Sequence, residues 1–237
     1  MSGSVFSNAH ANMYYHNVWL KNGQLLNDLG YNCEEQPVDT KTHRRLFHYT
    51  TIGIGADRVE YSTDPEEISK CVESIRFVFE LQVETKITSD VLKMMRSLVK
   101  KNTLNKISIS KGVEIEDGMT QLLLDLLKQK QFHQMFFRAK CSAALKTIIA
   151  SWRENSGEMV GKIISCKEEF SELQLPSTEF PFEECTEEEE RDAQRAFYLP
   201  SDWPYVTAKS VLRIQDGSAV YCLSMSYSLY KTQFVFA

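Results

Sequence analysis

The sequence predicts an α/β protein of irregular, leucine-rich-repeat-like strand–helix units with parallel strands, followed by a helix and a small antiparallel β-hairpin region. Three observations predict this fold. Short alternating apolar stretches recur along the middle of the chain, and helical apolar stripes lie between them. Near the C-terminus, an Asp-Gly pair separates two further alternating stretches.

The predicted strands of the middle region share an apolar-x-x-apolar spacing. They are Leu104-x-x-Ile107-x-Ile109, Phe132-x-x-Met135-x-Phe137, Val160-x-x-Ile163 and a looser earlier copy, Val72-x-x-Ile75-x-Phe77. The first three begin 28 residues apart, within the roughly 20–29 residues of a leucine-rich repeat. Gly112, Lys140 and Glu168 stand where such a repeat has Asn or Cys, so the units are irregular. An ordinary three-layer α/β domain with coincidental spacing is the alternative.

Between the predicted strands lie three stripes of apolar residues at helical spacing. The stripes are Val91, Met94, Met95, Leu98 and Val99, then Met119, Leu122, Leu123, Leu126 and Leu127, then Leu145, Ile148, Ile149 and Trp152. Thr88, Ser89 or Asp90 can cap the first helix. Strands joined by helices are expected to pair in parallel, because a parallel connection needs a long crossover.

The chain divides into three predicted segments. Residues 1–65 form an N-terminal segment with a possible β hairpin, residues 66–170 form the strand–helix repeat region, and residues 171–237 hold an acidic helix and the C-terminal hairpin. In the first segment, Arg44–Thr51 is predicted to pair with Arg58–Tyr61, with a turn at Gly53 and Gly55.

The C-terminal segment carries two local signals. Thr186 and Glu189 have the spacing of a capping box, which predicts a helix running from there to about Phe197. Asp216-Gly217 predicts a tight turn between Val211–Gln215 and an alternating strand from Ala219 to Tyr227. Phe234-Val235-Phe236 is expected to add a third strand.

Composition places limits on the class of protein. The 237 residues are 43% hydrophobic, enough for a sizeable core, and no apolar run is long enough to cross a membrane. The six cysteines are dispersed without a C-x-x-C pair, and the N-terminus lacks the pattern of a secretory signal. These features predict an intracellular protein, cytoplasmic or nuclear, with reduced thiols.

The charge is unevenly distributed. Between Glu168 and Asp192 there are eleven acids and one base, which leaves 26 bases and 21 acids in the rest of the chain. The acidic run is explained as a helix N-terminus, with an interaction tail as the alternative. Nucleic-acid binding is not expected, because the bases are scattered apart from Lys41–Arg45. An RNA contact through Lys106, Arg138 and Lys162 is a weaker alternative.

No catalytic or metal-binding pattern is found in the sequence. The five histidines lack zinc-ligand spacing, and there is neither a phosphate loop nor a Gly-x-Ser-x-Gly elbow. Cys141 lies at a helix start, where a thiolate can be stabilised, but a small buried residue at a strand-to-helix turn explains it better. We therefore expect no enzyme activity, no metal and no cofactor.

The candidate binding residues lie at alternate positions of the predicted strands, facing away from the core. They are Lys106, Ser108, Ser110, Gln134, Phe136, Arg138, Lys162 and Ile164. Phe136 and Ile164 are apolar where a solvated sheet would be polar. Either a helix or loop covers them, or they form part of a surface that binds a protein partner.

The region Val72–Phe170 resembles a known family. Its Leu-rich helix, the run Lys128-Gln129-Lys130-Gln131-Phe132, the helix end Ile148-Ile149-Ala150-Ser151-Trp152 and the following Gly161-Lys162-Ile163-Ile164 are similar to the C-terminal, F-box-associated regions of nematode F-box-like proteins. The resemblance implies the partner-binding half of a ubiquitin-ligase adaptor. Residues 1–60 lack the Leu-Pro-rich helical F-box, so adaptor activity is not carried over.

The predicted function is therefore a non-catalytic protein-interaction module. It presents the open face of a repeat sheet to a protein partner and is related, through the resemblance, to ubiquitin-ligase substrate adaptors. The alternative is an α/β small-molecule-binding protein or enzyme with an unrecognised pocket, recognisable by convergent polar groups in a deep cavity.

Overall fold

The structure, a computed structural model, describes residues 78–84, 86–189, 191, 210–226 and 228–237, without the side chain of Asp90, together with the backbone of strands at 16–21, 24–28, 36–37, 50–55 and 206–209. The strands are β1 His16–Lys21, β2 Gln24–Asp28, β3 Gln36–Pro37, β4 Thr50–Gly55, β5 Val78–Val83, β6 Lys106–Ile109, β7 Gln134–Phe137, β8 Ile163–Cys166, β9 Glu183–Glu184, β10 Val206–Arg213, β11 Ala219–Met225 and β12 Thr232–Phe236. The helices are α1 Ser89–Lys100, α2 Asp117–Leu127, α3 Ser142–Glu154, α4 Ser156–Met159 and a 3-10 helix at Phe170–Leu173.

The twelve strands form one mixed sheet in the order β3-β2-β1-β4-β5-β6-β7-β8-β12-β11-β10-β9. From β1 through β4 to β8, neighbouring strands run parallel, and the strands at both ends of the sheet pair antiparallel. The predicted mixed α/β architecture with parallel, sequentially ordered strands is thus confirmed. The leucine-rich-repeat-like character of the units and the three-segment division stay predictions. Within the described residues, no helix is long and apolar enough to cross a membrane.

The three predicted helices are confirmed, and they cover one face of the parallel strands. The hydroxyl of Thr88 accepts a hydrogen bond from the Val91 backbone at 3.3 Å and so caps α1 as predicted. The predicted apolar stripes of α1, α2 and α3 belong to one core cluster together with residues from the strands. Burying these stripes against the sheet is the main stabilising contribution of the helices.

The strand register corrects two of the predicted positions. Leu81, Ile107, Met135 and Ile164 lie side by side in β5 to β8, and all four are fully buried. The prediction that Ile164 faces outward is therefore wrong, because α4 lengthens the crossover and moves β8 one residue later than a spacing of 28 requires. In the structure, the strand that precedes β6 in the sheet carries the pattern as Val78-x-x-Leu81-x-Val83. The copy predicted at Val72–Phe77 lies outside the described residues.

The N-terminal hairpin lies elsewhere than predicted. Gly53 and Gly55 belong to β4, whose two neighbours, β1 and β5, both run parallel to it. The predicted turn at these glycines is therefore wrong, because the β-branched residues Thr50, Thr51, Ile52 and Ile54 favour a strand despite the glycines. The hairpin of this segment joins β1 and β2. Residues 44–49 and 56–61 lie outside the described residues.

The C-terminal hairpin is confirmed. Gly217 has a φ of +90° in the turn between β10 and β11, and the Asp216 carboxylate accepts a 2.8 Å hydrogen bond from the Ser218 backbone. β12, the predicted third strand, pairs antiparallel with β8 as well as with β11. The hairpin region thus extends the central sheet.

The acidic run begins with the predicted capping box. The Thr186 backbone N–H donates to the Glu189 carboxylate at 2.9 Å, and the Glu189 backbone N–H donates to the Thr186 hydroxyl at 3.3 Å. Arg213 of β10 donates to Glu183 at 2.7 Å and also to Glu189. The Thr186 N–H and the Arg213 guanidinium lower the pKa of Glu189 to about 2. The predicted continuation of this helix to Phe197 lies outside the described residues beyond Arg191.

Lys162 lies just before β8 and is buried, with only 3% of the residue exposed. Its side chain connects β8 to the preceding strand–helix unit. Its Nζ donates to the backbone carbonyl oxygens of Gln129 at 2.7 Å and Phe132 at 2.5 Å, and at 3.4 Å to that of Lys130. These carbonyls follow the C-terminus of α2, where a cation complements the helix dipole. Burial lowers the pKa of Lys162. The prediction that Lys162 faces outward to a partner is therefore wrong, because it precedes β8 and reaches back into the α2–β7 turn.

We predict that Lys162→Met lowers the free energy of unfolding by about 2–4 kcal/mol, because the carbonyl groups of Gln129, Lys130 and Phe132 lose the ammonium donor, and that of Phe132 is buried. Urea unfolding followed by circular dichroism measures the loss, with Lys140→Met at an exposed position as the control. An unfolding midpoint equal to that of the wild type would show that the ammonium contributes no net stability.

We predict that Glu189→Gln removes a pH-dependent part of the stability. Because the pKa is about 2 in the folded state and 4.5 without these contacts, the wild-type contribution is complete above pH 4.5 and is lost as the pH falls towards 2. The carboxylate is partly exposed, so the effect is at most about 1 kcal/mol. Thermal unfolding is measured from pH 6 to pH 2, roughly the range over which the carboxyl titrates. The melting temperatures of the wild type and the variant are expected to converge as the pH falls. A difference independent of pH contradicts the assignment.

Candidate functional site

The parallel strands have a second face, opposite helices α1 to α3. We call it the polar face and define it by Glu80, Gln82, Lys106, Ser108, Gln134, Phe136, Ile163 and Ser165. All of these residues except Ser165 are partly exposed, whereas their chain neighbours Ile107, Ile109, Met135 and Phe137 are fully buried. The alternation follows from the two-residue period of a strand, because the helices bury only one set of side chains.

The strand register arranges the polar face in two rows. One row is Glu80, Lys106, Gln134 and Ile163, and the next is Gln82, Ser108, Phe136 and Ser165. Neighbouring members of a row are about 5 Å apart, the spacing of adjacent strands. The Ser165 hydroxyl is buried and has no hydrogen-bond partner among the described residues.

An apolar patch lies at the end of the polar face nearest the turn between β11 and β12. Phe136 packs against Tyr230 of this turn, with ring centroids 5.2 Å apart and the rings tilted by 42°. Leu229, the preceding residue, is 53% exposed. Paired aromatic rings beside an exposed leucine provide the kind of anchor that dominates protein interfaces.

A row of basic residues continues this face just beyond the strand ends. The backbone N–H groups of Arg138, Lys167 and Lys231 each donate to the adjacent strand at 2.8 Å, which places the three residues side by side. Arg138 and Lys167 are exposed, and Lys231 is partly exposed. We call these three residues the basic edge. It lies at the carboxyl ends of β7 and β8, the end of parallel strands where α/β sheets commonly bind ligands.

The structure brings most of the predicted binding residues together. Lys106, Ser108, Ser110, Gln134, Phe136 and Arg138 lie on the polar face or in the row beyond it and are exposed or partly exposed. The corrections are Lys162 and Ile164, which are buried. Sequence reasoning missed Lys167, Leu229, Tyr230 and Lys231. Lys167 was missed because β8 lies one residue later than the spacing of 28 predicts. The other three belong to the turn between β11 and β12, which lies near the ends of β7 and β8 only because β12 pairs with β8.

A buried thiol cluster lies beneath the start of α3. The sulfur atoms of Cys141 and Cys166 are 3.3 Å apart, and Cys141 Sγ lies 3.3 Å from a Glu168 carboxylate oxygen. That carboxylate also accepts a 2.9 Å hydrogen bond from the Cys141 backbone N–H. The hydrogen bond to Cys166, burial and the nearby Glu168 raise the pKa of the Cys141 thiol. The cluster therefore holds a protonated, unreactive thiol instead of a nucleophile.

Two pockets in the described part of the chain are possible locations for the small-molecule alternative. A wide, open one of about 650 Å³ is lined by Arg153, Arg213, Ile214, Gln215 and Asp216. A cleft between the N-termini of α1 and α2 measures about 260 Å³ and is lined by residues that include Ile87, Leu92, Met119, Glu114 and Glu116. Ligand pockets usually hold about 300–1,000 Å³ and have several convergent polar groups. Among the described residues, no group of three or more His, Cys, Asp or Glu side chains is placed to bind a metal ion.

Comparison with known proteins gives no identification. No protein-family model matches the chain, and neither a curated protein nor a solved structure is similar to it. The resemblance to F-box-associated regions therefore stays a prediction, and the functional argument rests on the polar face.

We predict that Cys141 and Cys166 resist alkylation in the folded protein, because both are buried and the Cys141 thiol is held protonated. Mass spectrometry after iodoacetamide treatment at neutral pH is expected to find them modified only in denaturant. The partly exposed Cys185 is the internal reference. Modification of Cys141 at the rate of a free thiol would contradict the buried cluster.

Proposed function

We propose that the protein is a non-catalytic protein-interaction module whose parallel strands present the polar face to a protein partner. In this proposal the strand–helix units act as a leucine-rich-repeat-like scaffold, with helices on one side and the binding surface on the other. The single observation that carries the proposal is the Phe136–Tyr230 ring pair beside the exposed Leu229.

The composition of this surface favours a protein partner. Protein interfaces combine a small apolar centre with a polar rim, and aromatic residues and arginine supply much of the binding energy. Here the apolar patch is bordered by Gln134 and Ser108 on the sheet and by Arg138 at its edge. The relation to ubiquitin-ligase substrate adaptors is part of the proposal and rests on the resemblance of Val72–Phe170 alone.

An intracellular location belongs to the same proposal. The six cysteines are dispersed along the chain without a C-x-x-C pair, which is typical of reduced thiols in a reducing compartment. The small-molecule alternative is the weaker candidate. The cleft between α1 and α2 holds only about 260 Å³, and the pocket at Arg153 and Arg213 is wide open to the surface, whereas ligand sites are usually concave and enclose most of the ligand.

We predict that Leu229→Asp and Phe136→Asp each reduce recovery of the specific partner by about tenfold or more, because a carboxylate replaces an apolar anchor. Tagged full-length protein is used for affinity capture from its source cells, and the captured protein is then purified and its affinity measured. Val160→Asp is the matched control, since Val160 is 55% exposed and precedes β8 at the opposite end of that strand.

Circular dichroism must first show that the variants are folded, and Leu229→Asp is the safer of the two because its side chain is largely exposed. Equal affinity of the partner for the wild type and for folded Leu229→Asp and Phe136→Asp would refute the proposed surface.

A further inference from the structure

The three residues of the basic edge lack counter-charges within the part of the chain that the structure describes. Arg138, Lys167 and Lys231 are neighbours across β7, β8 and β12, and no ion pair is formed there by any of them. Three adjacent positive charges repel one another, so the arrangement costs free energy unless an anion lies beside it.

The acids that follow Lys167 in the chain are engaged elsewhere. The Glu168 carboxylate accepts hydrogen bonds from the Cys141 backbone N–H at 2.9 Å and the Ser142 hydroxyl at 3.5 Å. Glu169 and Glu172 form a capping box at the start of the 3-10 helix. The acid nearest along the row, Glu84, is separated from Arg138 by the strand of Ser110, roughly two strand spacings away.

From this charge arrangement we infer that the partner bound at the polar face presents an acidic linear segment to the basic edge. The inference rests on the proposed function and adds the chemistry of the partner. The three positive positions span about 10 Å. Alternate side chains on one side of an extended peptide are about 7 Å apart, so two carboxylates of such a segment reach all three cations. An apolar residue between or beside them reaches Phe136, Tyr230 and Leu229.

A short acidic peptide fits this surface better than a nucleic acid does. The basic row is limited to three residues, and the exposed Glu84 lies in the same row about two strand spacings from Arg138. A long polyphosphate chain that continued along the row would approach this carboxylate, whereas a peptide with few charges avoids it. Lys162, the third cation of the RNA alternative, is buried against carbonyl oxygens.

The test measures the fluorescence anisotropy of labelled probes with the full chain. The probes are a peptide of alternating glutamate and glycine with a central phenylalanine, the same peptide with glutamines, and an oligouridylate of equal length. We expect the glutamate peptide to bind more tightly than the other two and to weaken as salt is added. Arg138→Glu with Lys167→Glu is expected to raise its Kd by about tenfold or more, and the neutral pair Arg138→Gln with Lys167→Gln by less.

The matched control is Lys93→Glu with Arg96→Glu, which makes the same change of charge at exposed positions of α1 and is expected to leave the Kd unchanged. Equal Kd values for the wild type and the Arg138/Lys167 variants, or tighter binding of oligouridylate, overturn the inference.

Recovery of the partner by the different variants distinguishes a failure of this inference from a failure of the proposed function. If its recovery is lost with Leu229→Asp but kept with both Arg138/Lys167 variants, the protein-binding surface stands and the acidic partner is wrong. If recovery is unchanged in all of these variants, the proposed function fails as well.

Discussion

Burial of one face of the parallel strands against α1 to α3 is the constraint on which the rest of the structure depends. The buried positions form a continuous ladder across the sheet, Leu81, Ile107, Met135 and Ile164, with no exposed surface. A single strand–helix unit cannot cover its own apolar side chains, so each unit needs its neighbours. Because a strand alternates with a period of two, fixing this ladder also fixes which side chains form the polar face.

The two halves of the sheet differ in how much of their second face is free. In the antiparallel half, Val211, Tyr221, Leu223 and Val235 form a second buried cluster on that face. In the parallel half the same face carries partly exposed side chains apart from the buried Ser165, and Phe136 lies at its end nearest the turn between β11 and β12. The candidate surface is therefore confined to β5 through β8 and to the turn holding Leu229 and Tyr230, which the hairpin returns to the ends of β7 and β8.

Local patterns in the sequence are sufficient to predict the helices, the parallel strands and the C-terminal hairpin. The stripe of α1, the capping box at Thr186 and the turn at Gly217 each depend on residues close in the chain, and all three were predicted correctly. The position of β8 was not predicted, because one extra residue in the crossover exchanges inward and outward positions. The spacing in the sequence therefore predicts the wrong side of the sheet for Ile164 and Lys162. Tyr230 and Lys231 could not be placed at the site, since their approach depends on pairing between distant strands.

The most direct test of this account compares two adjacent rings of β7. Phe136 lies on the polar face and is partly exposed, whereas Phe137 points into the core and is fully buried. Hydroxyl-radical footprinting of the full chain, resolved to single residues by mass spectrometry, measures the oxidation rate of each ring. The account predicts clear oxidation of Phe136 with Phe137 protected. Equal protection of both rings would show that another part of the chain covers the polar face, and equal oxidation would contradict the burial of the opposite face of the parallel strands.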